Sequence, residues 1–337
     1  MLALPAFLGS ALDPLIGLAG DTPRRHALIF FGGLAFAASA ALSGLAVGFW
    51  TLLVALLIGY PATGAFVSLA QATLMDHAPA ERERNMARWT IAGSVGYVAG
   101  PVLIAAAVAV GLGWRGVLVL LAFASVPFAF AGRRGPAPRA THDDPDARQG
   151  LLAALRDREV LRWLFVLEAA DLLGDVLHGF VALYFVDVAH VGAIEAAFAV
   201  AVWTGAALVG DVLLLVVLRR MSGWTYLRLS ALIVLGAYPV FLLVPSATAK
   251  LAVLALLGLL NAGWYALPKA ALYGTLPGRS GTAIAVAGVG GFVAAGVPAG
   301  LGLTAEHFGL GATMWVLLAA PVALLVAGRS PTRSEDM

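Results

Sequence analysis

The sequence has no cysteine, only two lysines against nineteen arginines, and just 12% charged residues in a chain of 337. Without cysteine there is no disulfide and no thiolate-held metal, although the compartment stays open. The arginine excess reads as codon usage in a GC-rich genome. The shortage of charge excludes a water-soluble fold, because a soluble core of this length needs a charged shell. Also absent are HExxH, a P-loop lysine motif, GxSxG and any Cys/His cluster, so neither an enzyme nor a bound metal or cofactor is expected. The net charge of +2 gives no footing for a nucleic-acid partner, despite a pI near 9.1.

What is present is apolar. Hydrophobic residues make up 61% and the mean hydropathy is +0.92, so the lipid bilayer is the solvent and the expected fold is an all-α integral membrane protein. Spans of about 20 apolar residues are needed to cross the hydrocarbon. They are predicted at 2–20, 27–47, 50–75, 88–111, 115–132, 160–187, 193–218, 226–246, 249–274, 280–303 and 310–328, which makes about eleven helices. The first segment carries Asp13-Pro14 and no preceding basic residue, unlike a signal peptide.

Alternate connections differ sharply in arginine content. One set holds Arg24 and Arg25, Arg82, Arg84 and Arg88, the run from Arg133 to Arg162, then Arg219, Arg220, Arg228, Arg279, Arg329 and Arg333; the other holds only Arg115 and Lys250. The positive-inside rule places the first set and the C-terminus in the cytoplasm of a bacterial-type inner membrane, and the N-terminus of this chain outside.

The connection 133–159 contains Pro136, Pro138, Pro145 and the acids Asp143, Asp144 and Asp146, the composition of a solvated linker. It divides the chain into a bundle at 1–132 and a second at 160–328, followed by a tail at 329–337. The blocks carry a faint repeat: AGSVGYVA at 92–99 aligns with AGVGGFVA at 287–294, and Arg24-Arg25 meets Arg219-Arg220 in the same register. Two homologous halves follow, the first of them short of its opening helix. The segment Asp76 to Arg88 mixes acids and bases and reads as a solvated connector, and Ala92, Gly96 and Gly100 form a small-residue face suited to close helix packing.

Two bundles, a basic central linker and an arginine pair after the family's second helix resemble the major facilitator superfamily. The run GLAGDTPRR is similar to its loop signature, with Gly17, Asp21, Arg24 and Arg25 in the matching places, though one residue short and with Pro23 near a usual glycine. Gly93, Gly96, Gly100 and Pro101 resemble its antiporter signature in part. The resemblance implies a two-bundle fold lacking the usual first helix, and a gating role for the Asp21 loop. Independently of it, an Asp beside two arginines at a helix end can make and release charge-assisted bonds.

Glu168, Asp171, Asp175 and His178 stand at i, i+3, i+7 and i+10 in the span 160–187. On a regular helix they share an arc of about 80°, which implies a water-filled cavity or fixed partners. The resemblance makes this the seventh helix and places it on the central transport path. Asn261, Trp264, Tyr265, Pro268 and Lys269 gather toward one side of the span 249–274, and Lys269 is the depth-matched partner for Glu168. The first half offers Asp13 as a candidate carrier, with Tyr60, Thr63 and Gln71 on the fourth-helix equivalent; Asp211 is expected to pair with nearby arginines.

The resulting expectation is a secondary active transporter, a monomer moving a small solute by alternating access, proton-coupled and with efflux-type antiport favoured. The alternative is a non-transporting receptor or an inactive truncated remnant. Reporter fusions check the topology: a reporter that works only in the cytoplasm should be active at the C-terminus and silent at the N-terminus. Activity at both ends would require an even helix count.

Overall fold

The computed structural model describes residues 3–134 and 147–327. The prolines and acids at 136–146 and the arginines at 329 and 333 lie outside the described residues. All secondary structure among the described residues is helical. In chain order the helices are α1 (Ala3–Gly20), α2 (Arg25–Leu45), α3 (Phe49–Thr63), α4 (Leu69–His77), α5 (Arg82–Ala109), α6 (Gly113–Ala131) and α7 (Ala147–Ala154). They continue with α8 (Arg158–Asp171), α9 (Leu177–Asp187), α10 (Ala193–Val217), α11 (Gly223–Leu243), α12 (Ala247–Leu260) and α13 (Ala266–Thr275). The last are α14 (Ser280–Ala294), α15 (Val297–Phe308), α16 (Leu310–Thr313) and α17 (Ala319–Ala327).

Nine helical runs among the described residues are long and apolar enough to cross a membrane, and Phe7–Gly20 and Ala247–Leu260 are shorter apolar helices. Where water competes for backbone groups, serines cap: Ser222 Oγ accepts from the Thr225 N–H and Ser246 Oγ from the Ala249 N–H.

Four departures from regular helices matter. Single π-helical turns join α3 to α4 at Gly64–Ser68 and α8 to α9 at Leu172–Val176. The expected span 280–303 is interrupted between α14 and α15. The expected span 249–274 is broken at residues 261–265, where Gly263 takes a φ of +77° that glycine tolerates without strain. Pro268 explains the position of this break, because its ring would clash with the Trp264 carbonyl one turn earlier in a continuous helix.

Three other expectations change. The described end of the 133–159 linker is partly helical, forming α7. The stretch from Asp76 to Arg88 is not a solvated connector: α5 begins at Arg82, and Asn85, Met86 and Ala87 are buried. Ala92, Gly96 and Gly100 do not hold a helix close, since a Cβ added to either glycine would meet open space.

The contacts group into two compact units. One comprises the described residues of Met1–Arg82, Ala99–Leu161 and Leu272–Val293. Within it α2 packs against α3 and α6, and α1 against α3; Gly32 and Gly33 let α2 approach Ala65, Phe66 and Ala129. Ser39 Oγ on α2 donates to the Ala55 carbonyl on α3 at 2.7 Å, a polar bond across this small-residue interface.

The other unit comprises the described residues of Glu83–Val98, Arg162–Ala271 and Ala294–Met337. Within it α10 packs between α9 and α12, and α11 against α12 and α17. Gly210 faces the Leu259 carbonyl and Gly258 the Trp203 carbonyl, a reciprocal close approach of α10 and α12. Lys250 is not a loop cation. It is 4% exposed, and its ammonium donates to Tyr184 Oη at 2.9 Å, the Phe241 carbonyl at 2.7 Å and the Leu242 carbonyl at 3.0 Å. A cation here satisfies carbonyls that the end of α11 leaves unpaired and favours that helix's negative pole.

Lys250→Met should therefore lower the melting temperature in detergent. The loss should correspond to about 1–3 kcal/mol for stranding buried acceptors. An unchanged melting temperature would show that the lysine does not hold this helix end.

Candidate functional site

In the first unit, the end of α1 meets the start of α14. Gly17 makes this possible: a Cβ there would come within 2.6 Å of the Gly281 carbonyl and 2.7 Å of the Ala285 nitrogen. The Asp21 carboxylate then reaches the N-terminal turn of α14, accepting from the Gly281 and Thr282 N–H groups at 2.6 Å each and from Thr282 Oγ1 at 2.7 Å. Unsatisfied N–H donors and the positive helix pole both favour an anion there.

Arg25 is 1% exposed and joins the parts. Its guanidinium contacts Asp21 Oδ1 at 3.2 Å and Asp76 Oδ2 at 2.6 Å, and donates to Ser280 Oγ at 2.9 Å and the Gly20 carbonyl at 2.5 Å. Ser280 Oγ in turn donates to Asp76 at 2.5 Å. Residues about 255 positions apart in the chain are thus bonded through one cation. Of the two arginines expected in this loop, Arg25 points inward while Arg24 is exposed at the turn.

The second unit contains a cavity of about 350 Å³, within the size range of small-molecule sites. Asp171, Asp175 and His178 line it from the α8–α9 run, and Trp203 and Asp211 from α10. Gly93, Ser94 and Tyr97 line it from α5, and Asn261, Trp264 and Tyr265 from the break between α12 and α13. The π turn at Leu172–Val176 lies inside the acidic stripe and rotates residues after it away from the regular 100° step. Asp171, Asp175 and His178 share the wall, as regular helical spacing already allowed, whereas Glu168, which like Asp171 precedes the turn, is not part of the lining. His178 packs edge-on to Tyr97, with ring centroids 6.1 Å apart.

The break in the ninth span supplies the facing wall. It places Asn261, Trp264 and Tyr265 on a turn rather than on a helix face. The Trp264 indole N–H donates to Ser230 Oγ at 3.0 Å. Lys269 sits beyond the break on α13, 9% exposed and within electrostatic reach of Glu168 and Asp171.

Among the described residues Asp211 pairs with no arginine. It is 5% exposed, accepts from Ser94 Oγ at 2.5 Å and takes the Gly263 N–H that the helix break frees. Its place in the wall was not legible in the sequence, because its partners come from α5 and from a turn read as helix. Asp76 was missed for a similar reason: its partners lie 51 and 204 residues away. An acid closing α4 on the arginine-rich side was the available signal.

The remaining candidates belong to the first unit and not to this cavity. Asp13 lies against Gly64 and Gly288, Tyr60 against Gly9, and Gln71 Oε1 accepts from Tyr273 Oη at 3.0 Å.

The family model described as Major Facilitator Superfamily matches residues 1–299. Among solved structures, the human organic anion transporter MFSD10 (TETRAN) is similar with a TM-score of 0.78 at 20% identity, over 97% of this chain and 82% of that one. The E. coli fucose:proton symporter FucP is similar with a TM-score of 0.78 at 15% identity, over 97% and 88%. A bacterial homologue of the iron transporter ferroportin follows with a TM-score of 0.69 at 18% identity, over 97% and 88%. At these identities the likeness concerns the fold. No curated sequence matches the chain.

The Arg25 network should behave as a coupled unit. Arg25→Met should destabilise the protein by on the order of 3 kcal/mol, because it strands carboxylates that a buried cation had paired. Asp76→Asn should cost less in the Arg25→Met background than in the parent. Strict additivity in thermal denaturation would show that the two side chains are not coupled.

Proposed function

The chain belongs to the major facilitator superfamily, and from that premise we propose that it is a proton-coupled secondary active transporter working by alternating access. The observation that carries the proposal is that Asp171, Asp175, His178 and Asp211 line one small-molecule-sized cavity. In the continuous run Arg158–Asp187, Asp171 and Asp175 lie within about 4 Å of the middle along the helix axis. A carboxylate at that depth needs water, a partner cation or a proton. A carrier must change which of these it holds during the cycle, and a wall shared by two such acids and a histidine gives a proton neighbouring sites to occupy.

The Asp21–Arg25–Asp76–Ser280 network is proposed as the gate. It consists of charge-assisted bonds between the N-terminal turn of α14 and the α1–α2 turn, which are strong while the geometry holds and are lost together when it does not. Bundles 1–132 and 160–328, joined by the segment 133–159, are proposed as the two moving halves. The proposed setting is a bacterial-type inner membrane with the C-terminus in the cytoplasm, the working form a monomer, and the direction efflux by antiport.

Replacing Asp171 or Asp175 with Asn should abolish pH-gradient-driven accumulation in proteoliposomes while leaving the melting temperature near the parent's. Substrate exchange in the absence of a gradient should survive. If both variants accumulate solute as well as the parent, the acids serve packing or substrate binding and the proton-coupled reading fails.

A further inference from the structure

The cavity of the second unit is unbalanced in charge. Asp171, Asp175 and Asp211 contribute carboxylates to its wall beside one histidine, His178, and among the described residues neither arginine nor lysine lines it. Lys269 is within electrostatic reach of Asp171 but is shared with Glu168, so carboxylates outnumber cations even with His178 counted as one. Such a wall repels an anion, and burying it at membrane depth is unfavourable until a positive charge enters.

The uncharged part of the wall is aromatic. Trp89, Tyr97, Trp203, Trp264 and Tyr265 surround the space. Trp203 and Trp264 are only 3% and 1% exposed, so packing holds them, and the single donor of Trp264 is already used on Ser230. Ring faces of this kind attract cations and cover apolar bodies.

Asn261 adds a third, independent feature. Its Oδ1 is buried without a hydrogen-bond partner among the described residues, while its Nδ2 lies toward Gly174, where a Cβ would meet it at 3.6 Å. A buried acceptor without a donor is an unmet demand for an N–H or O–H group, and Asn261 lines the cavity from which one can come when its amide turns toward it.

From these three features we propose that the cavity binds a small organic cation: a protonated amine, its N–H donating to Asn261 and its charge among Asp171, Asp175 and Asp211, on an apolar body enclosed by the rings. This deepens the transporter reading and rests on it. The same carboxylates then accept either protons or the ammonium group, so occupancy by one opposes occupancy by the other, as exchange across the membrane requires.

Three probes of similar shape test the assignment on the full chain in detergent by titration calorimetry: phenethylammonium, 2-phenylethanol and 3-phenylpropionate. Phenethylammonium should bind at least about tenfold more tightly than either of the others, a difference of about one decade in Kd. Asp211→Asn should weaken it by a similar factor. Asn261→Leu should reduce the preference for phenethylammonium over its N,N,N-trimethyl analogue, which lacks the N–H. The order of the three probes on the parent protein does not depend on any variant folding, and equal or tighter binding of the alcohol or the carboxylate overturns the proposal. Proteoliposomes separate the two levels of inference. Cation binding without pH-gradient-driven accumulation supports the cavity assignment and sinks the transporter reading. Accumulation of the alcohol or the carboxylate in place of the amine does the reverse.

Discussion

A charge placed inside a helical bundle whose outer solvent is lipid has to be answered from within the protein, and the described structure is organised around how each such charge is answered. Arg25 is answered by Asp21, Asp76 and a serine; Lys250 by the free carbonyls at the end of α11; Asp211 by Ser94 and a backbone N–H. Asp171 and Asp175 line a cavity, and Asp211 borders the same cavity from its fixed position. The difference is between charges fixed only by protein partners and charges that border an open space.

Backbone irregularity does much of the placing. A regular helix offers no spare N–H in its interior, so the Gly263 donor that holds Asp211 exists only because Pro268 and the left-handed Gly263 end one helix and begin another. The π turn at Leu172–Val176 changes the angular step between Asp171 and Asp175 without taking either off the cavity wall. Glycine contributes through close approach, as at Gly17, where the absence of a side chain brings Asp21 to the first turn of α14.

The network around Arg25 and the cavity have different chemistries. In the first, every partner is a fixed protein group at bonding distance, and its strength depends on α1 and α14 keeping their register. In the second, the groups line an open space and are suited to an occupant that changes. A transporter needs both kinds of site: one that reports conformation and one that reports occupancy.

By itself the sequence determined the solvent, the class of fold and most of the spans. These follow from hydropathy over about 20 residues, a local property that lipid imposes on each helix separately. It also indicated Asp21 and Arg25, because a loop signature is contiguous, and Asp171, Asp175 and His178, because ionisable residues are conspicuous in an apolar run. Only the tertiary structure decided that Arg25 and not Arg24 turns inward, that Asp76 and Ser280 complete its shell, that Asp211 belongs to the cavity, and that Glu168 does not. The first three of those outcomes depend on partners between 51 and 255 residues away. Periodicity along a single helix states which residues share a face, but not which face another helix will cover or where the backbone will leave the helix.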